Sequence, residues 1–158
     1  MNFNSAKLSK LLYVILVAAC ILLTLLMYKQ RHTRKLFKQA AQLTFYNIQP
    51  DQVADGKYRG KIYTNFLHVQ LDVTVLDHKI TKIDIIENEG AYGKKIDPLL
   101  DEIIAQNNSV VPAVKGEELA SIVFISCVDD ALFKGITEER KAELTAKAQE
   151  VQNARVQN

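Results

Sequence analysis

The sequence predicts an α+β protein that has an N-terminal transmembrane helix followed by a small domain in which an antiparallel sheet packs with helices. Three observations lead to this prediction: an apolar run near the N-terminus, a segment of alternating apolar and polar residues, and two later segments with helical periodicity. The 158 residues suit one domain, and a composition of 48% hydrophobic and 24% charged residues excludes disordered and collagen-like chains.

Residues 11–28 form the apolar run, in which Thr24 is the one clearly polar side chain. As a helix the run spans roughly 27 Å, close to the hydrocarbon thickness of a bilayer. A buried core helix is the alternative, but five apolar turns that end at a basic cluster are typical of a membrane span. The segment Val17-Ala18-Ala19-Cys20 is similar to a lipoprotein cleavage box, yet the apolar residues after Cys20 favour an uncleaved anchor.

Charge is divided unevenly along the chain. Residues 1–50 carry seven basic and no acidic side chains, so the remaining 108 residues hold 13 basic and all 18 acidic groups, a net charge of −5. Basic residues that flank an apolar run suit lipid headgroups, and they argue against nucleic-acid binding. More of them follow the run than precede it, and this bias alone favours a cytoplasmic C-terminal side.

The strands are predicted from alternation. Val69, Leu71, Val73 and Val75 alternate with polar residues, and a tight connection at residues 77–79 leads into a second β-branched run over 80–86, with Ile83 and Ile85 on one face. The pattern indicates an antiparallel hairpin, preceded by a strand over residues 57–63.

Helical signals follow the strands. Asp97-Pro98 is typical of a cap followed by the first helical residue, and Asn107-Asn108 ends that helix. Residues 116–133 form a second, largely apolar helix stopped by Gly135, and residues 137–152 form a solvated terminal helix. The adjacent acids Asp129 and Asp130 are interpreted as surface charge.

The resulting segments are a tail (1–10), an anchor (11–28), a basic stalk (29–50), a domain (51–135) and a polar C-terminal helix or tail (136–158).

No residue is predicted to be catalytic. Cys20 lies in the membrane run and Cys127 in an apolar helix, and neither has a histidine as an evident base partner. The histidines, His32, His68 and His78, are scattered over the basic stalk, a strand and a turn, and this scatter argues against a zinc site.

The order of these motifs resembles the small FMN-binding domain family, over roughly residues 43–133. The resemblance is carried by Asp55-Gly56-Lys57-Tyr58-Arg59-Gly60, by the strand pair joined at Asp77-His78-Lys79, and by Ala113-Val114-Lys115-Gly116 before the buried helix. The family includes the flavin-carrying subunits of Rnf and sodium-pumping NADH:quinone systems and many short single-anchor bacterial proteins.

The stretch that would attach flavin departs from the family pattern. The family has Asp-x-x-Ser-Gly-Ala-Thr, whereas residues 112–118 read Pro-Ala-Val-Lys-Gly-Glu-Glu and keep the glycine alone. Glu118 stands where the family threonine is esterified to FMN, and a carboxylate cannot form that phosphoester, so covalent FMN is excluded here. The resemblance leaves Lys115, Gly116, Glu117 and Glu118 as candidate positions for non-covalent FMN, with Tyr58, Tyr92 and Gly93 as candidates to line a cleft.

The resemblance implies a single-pass membrane protein that holds flavin non-covalently for extracytoplasmic electron transfer. The alternative is a non-catalytic binding or scaffold protein that keeps the fold and has lost flavin. The partners expected are the lipid bilayer and a redox or scaffold protein, and the cell membrane is the expected location, with the domain outside the cytoplasm. That orientation opposes the local charge bias.

Overall fold

The computed structural model describes residues 5–90 and 93–156, and over these residues the chain is α+β, as predicted. Contacts divide it into two compact units, residues 1–38 and residues 39–158. Its elements in chain order are α1 (Ser5–Ala40), a 3-10 turn (Pro50–Gln52), β1 (Gly56–Tyr63), β2 (Leu67–Leu76), β3 (Lys79–Gly90), α2 (Asp97–Gln106), α3 (Glu118–Lys134) and α4 (Glu138–Val156).

Helix α1 contains the predicted membrane span. It has 36 residues and is about 54 Å long at 1.5 Å per residue. All side chains from Leu11 to Met27 are exposed, although most are apolar. Among the described residues, this is the one helix long and apolar enough to cross a bilayer. It continues through the basic residues after the apolar run and ends at Ala40, ten residues before the end of the predicted stalk (29–50).

The strands form an antiparallel sheet in the order β1-β2-β3. β2 and β3 make the predicted hairpin, because Asp77 and His78 both take positive φ values, 51° and 60°. Two consecutive left-handed residues make the tight turn whose twist suits a hairpin. Val73 lies opposite Ile83 and Leu71 opposite Ile85, so the predicted shared face of the two isoleucines is confirmed.

The two faces of the sheet differ in chemistry. The inner face of β2 carries a row of fully buried apolar side chains. All of them belong to the hydrophobic core (Leu67, Val69, Leu71, Val73 and Val75). Alternation puts polar and charged side chains of β1, β2 and β3 on the outer face. This difference fixes which side of the sheet receives the helices.

Helix α3 packs against the inner face and is buried at 12 of its 17 residues. It approaches β1 closely at Gly60, where a Cβ atom would collide with the backbone carbonyl of Cys127 and lie 3.2 Å from the Cβ of Ala131. Glycine at position 60 is therefore what allows the strand and the helix backbones to meet.

Asp129 of α3 is buried, so the prediction that it carries surface charge is wrong. Its carboxylate accepts hydrogen bonds from the backbone N–H groups of Tyr46, at 2.5 Å, and Ile48, at 3.0 Å. Burial raises the pKa of Asp129, while these N–H groups act in the opposite direction. The sequence pattern could not show this, because the donors lie about 80 residues away. Its neighbour Asp130 is half-buried and pairs with Lys134 at 2.8 Å.

Helices α2 and α3 end at the predicted residues, but the residue that caps the start of α2 differs from the prediction. Asn107 ends α2 in the left-handed conformation, and its side chain accepts a hydrogen bond from the Ile80 N–H of β3 at 2.8 Å. The cap of α2 is Ile96, so Asp97 lies inside the first turn and not at the predicted capping position. Gly135 ends α3 as predicted.

Asp72 is an acidic residue of β2 whose side chain is buried on the outer face of the sheet. It is 3% exposed, and it pairs with Arg59 at 2.6 Å and with Lys57 at 3.1 Å. The hydrogen bond from Arg59 is the main cause that lowers the pKa of Asp72 from its usual 3.8 to about 2. Both basic partners are more than half exposed, so solvent screens the pair.

We expect Gly60→Ala to destabilise the domain by about 1–3 kcal/mol, because the added methyl group overpacks the contact between β1 and α3. The measurement is urea unfolding of the full chain in detergent. Gly56→Ala is the matched control in the same strand, since the atoms nearest to its new Cβ belong to the ring and hydroxyl of Tyr58, at 3.0 Å or more. Equal stability losses for the two variants would contradict the close approach.

Asp72 should make stability depend on pH in the acidic range. Because its folded pKa is depressed, its contribution is complete above the unfolded value and is lost as pH falls from about 4 toward 2. After allowing for screening, we expect Asp72→Asn to cost about 1 kcal/mol at neutral pH and almost nothing at pH 2. Asp84→Asn, which breaks a more exposed pair with Lys82, is the control and should have little effect at either pH. A constant cost of Asp72→Asn from pH 2 to 7 would exclude this role.

Candidate functional site

The residues that align with the flavin-attachment stretch form a tight turn before α3. The N–H of Glu117 donates to the carbonyl of Val114 at 2.9 Å. Gly116, the third residue of this turn, has a φ of 85°, which favours glycine. The glycine that this chain shares with the family pattern is therefore explained by the turn itself.

Ser121 holds the turn against the helix. Its hydroxyl accepts a hydrogen bond from the Val114 N–H at 3.0 Å and donates to the carbonyl of Glu117 at 2.8 Å. The residue is fully buried. Sequence reasoning did not identify Ser121, although a serine four residues after Glu117 has the spacing at which a helical side chain reaches back to a carbonyl.

Glu118 is the first residue of α3, and its carboxylate binds the backbone of the turn that precedes the helix. The carboxylate accepts a hydrogen bond from the Gly116 N–H at 2.8 Å. This bond is the largest cause that lowers the pKa of Glu118, followed by a bond from its own N–H, and Lys115 adds a smaller favourable charge. An anion is thus already present where the backbone N–H groups before the helix converge.

Glu117 connects the same turn to the loop after β3. Its carboxylate accepts a hydrogen bond from the Gly93 N–H at 3.0 Å, and the Gly93 carbonyl accepts one from the side chain of Asn88 at 2.9 Å. The Gly93 Cα packs beside the ring of Phe124. The structure therefore brings Gly93 and Glu117 together, two residues that sequence analysis selected for separate reasons.

Tyr58 lies at the other end of α3. Its hydroxyl donates to the Ala54 carbonyl at 2.8 Å, and its ring packs against Gly135, the residue that ends the helix. The 17 residues of α3 separate the two ends by about 25 Å, so Tyr58 and Gly93 do not line one cleft. Tyr92, the remaining candidate, lies outside the described residues.

The electrostatics at the start of α3 disfavour a second anion. A helix N-terminus offers unpaired N–H groups and a positive dipole end, which together suit a phosphate. Here two carboxylates lie in that position, while Lys115 supplies a single exposed positive charge. A phosphate bound at this turn would have to displace Glu118 and would be repelled by Glu117.

The thiol of Cys127 has no nucleophilic role in this arrangement. It is fully buried in α3 beside the Val69 carbonyl, at 3.6 Å, and burial raises its pKa to about 12. Because the thiolate is the reactive form, a thiol that stays protonated at neutral pH is inert.

A groove with mostly apolar lining lies between residues 41–46 and α4. Its volume is about 460 Å³, and its lining from α4 consists of Leu144, Lys147, Ala148 and Val151.

Comparison with known protein families, with characterised proteins and with solved structures finds no match to this chain.

Proposed function

We propose that this chain is a membrane-tethered protein whose domain keeps the framework of FMN-binding domains and acts as a non-catalytic binding or scaffold module. The observation that carries the proposal is the carboxylate of Glu118, which accepts the Gly116 N–H at the point where the family would hold a flavin phosphate. In this view Glu118 is an internal substitute for that phosphate.

The order of the elements supports the framework. A strand opened by Asp-Gly, a hairpin, a helix, and a glycine turn before a buried helix follow one another as the family motifs do. The turn lies at the helix N-terminus, where a phosphate is best stabilised. The groove beside α4 supports a binding role, because its lining is mostly apolar.

Non-covalent flavin binding is the second candidate function. The observation in its favour is the open space at Gly116, where a Cβ atom would meet nothing within 4 Å. The N–H groups of the first helical turn also lack partners within the helix. A bound FMN would have to use these groups while Glu118 moves aside.

The membrane tether and its orientation are part of the proposal. The exposed apolar surface of α1 supports insertion into a bilayer. We place the domain outside the cytoplasm because the proteins that the motifs resemble are usually there, although five basic residues follow the span.

A flavin titration distinguishes the two functions. We expect the full chain in detergent to purify without flavin absorbance and to give no saturable quenching of FMN fluorescence up to about 1 mM, which corresponds to a binding free energy weaker than about 4 kcal/mol. Glu117→Ala combined with Glu118→Thr should strengthen FMN binding at least about tenfold, because the variant removes both competing carboxylates.

The matched control changes the same two residue types at another helix start. Glu138 and Glu139 begin α4, so Glu138→Ala with Glu139→Thr alters the total charge equally and should leave FMN binding unchanged. Tight FMN binding by the unaltered chain would establish the flavin function in place of the scaffold function. Equal gains in both double variants would show that net charge alone is responsible.

Protease treatment of intact cells tests the orientation. An extracytoplasmic domain should be digested from outside while a cytoplasmic control protein survives. Protection of the domain until the membrane is permeabilised would instead place it in the cytoplasm.

A further inference from the structure

We propose that His68, Glu87 and Glu89 bind a divalent first-row transition metal ion on the outer face of the sheet. One imidazole nitrogen and two carboxylate oxygens from these side chains all lie within 4.8 Å of one another. The three residues belong to β2 and β3, and the turn before α3 contains none of them. The metal proposal is therefore independent of the function proposed above.

The strand register brings these side chains together. His68 lies directly opposite Glu89, and Glu87 lies opposite Gln70, two residues along the same strand. Side chains two residues apart share a face, and directly opposed residues have Cβ atoms about 4.5–5.5 Å apart. The histidine and the two glutamates therefore converge, although at least 18 residues lie between the histidine and either glutamate in the sequence.

A β-bulge puts both glutamates on the outer face. Ile85 pairs with Leu71 and belongs to the inner face, so regular alternation would turn Glu87 inward as well. The pairing instead resumes with Glu87 opposite Gln70, which leaves Ile86 as the extra residue. Bulges recur near functional sites because they redirect side chains. This one turns two carboxylates toward His68.

The ligand set selects the class of ion. Zn²⁺ and its neighbours in the first transition row accept imidazole nitrogen and carboxylate oxygen together, whereas Ca²⁺ and Mg²⁺ prefer oxygen ligands alone. Ligands of a tetrahedral Zn²⁺ lie about 3.3 Å apart, given bond lengths of about 2.0–2.1 Å. The three side chains therefore need to close by about 1.5 Å at most. His68 and Glu89 are exposed and can rotate, and water can complete the coordination.

Tyr63 of β1 positions two of the three ligands. Its hydroxyl donates to a carboxylate oxygen of Glu87 at 3.2 Å. Its ring packs against the ring of His68 with centroids 4.9 Å apart. Partners that orient ligands in this way contribute to metal affinity without touching the ion.

Lys61 lies beside the proposed metal site, and its positive charge repels a metal ion. Its ammonium group lies 4.5 Å from the centre of the Tyr63 ring, and Glu87 is among the charges that act on it. The two glutamate carboxylates of the site outnumber the one lysine ammonium beside it. A divalent ion is attracted to these carboxylates, and removal of Lys61 should strengthen the attraction.

The test is a Zn²⁺ titration by calorimetry on the full, untagged chain in detergent after removal of bound metals with a chelator. We expect one ion per chain with a Kd below about 100 μM. Co²⁺ should give visible absorption bands that Zn²⁺ abolishes and that millimolar Mg²⁺ or Ca²⁺ leaves unchanged. His68→Ala should weaken binding at least about tenfold, and Lys61→Met should strengthen it severalfold.

His78→Ala is the matched control, because His78 is an exposed histidine in the turn between the same two strands. It should leave the affinity unchanged, and circular dichroism should show that every variant remains folded. The proposal is overturned if the chain does not bind one Zn²⁺ with a Kd below about 100 μM or if the two histidine variants lose affinity equally. Displacement of Co²⁺ by Mg²⁺ would overturn the assigned class of ion.

Discussion

The packing of α3 against the inner face of the sheet is the constraint on which the rest of the domain depends. The helix is buried on nearly every side, and its backbone meets β1 where Gly60 has no side chain. That contact sets the distance between α3 and β1. With the helix in this position, its N-terminal end contacts the loop around Gly93 and its C-terminal end contacts Tyr58.

Polar side chains of α3 complete this packing where backbone N–H groups need a hydrogen-bond acceptor. Asp129 faces the chain that leads out of α1 and accepts the N–H groups of Tyr46 and Ile48, which would otherwise be buried without partners. The ring of Tyr46 stacks on Phe133 of the same helix, with centroids 4.3 Å apart. The segment before the first strand is therefore part of the folded unit and not a free linker.

The two proposed sites use the two sides of β3 differently. Near the end of this strand, Asn88 and the following loop are bound to the start of α3, where Glu117 and Glu118 accept hydrogen bonds from the backbone N–H groups of Gly93 and Gly116. On the outer face, the bulge at Ile86 puts Glu87 and Glu89 on the same side as His68 of β2. Acidic side chains thus stabilise the protein's own backbone at one site, and at the other they form the proposed cation site.

The sequence by itself determined the local features: the apolar helix α1, the hairpin with its Asp77-His78 turn, and the two helices that follow. These depend on periodicity, on caps and on turn residues that act within a few positions. Tertiary structure alone decided that Asp129 is buried, that Tyr58 and Gly93 lie at opposite ends of α3, and that the bulge brings Glu87 to His68. Each of these depends on partners distant in the chain or on a one-residue change of register, and a single sequence records neither.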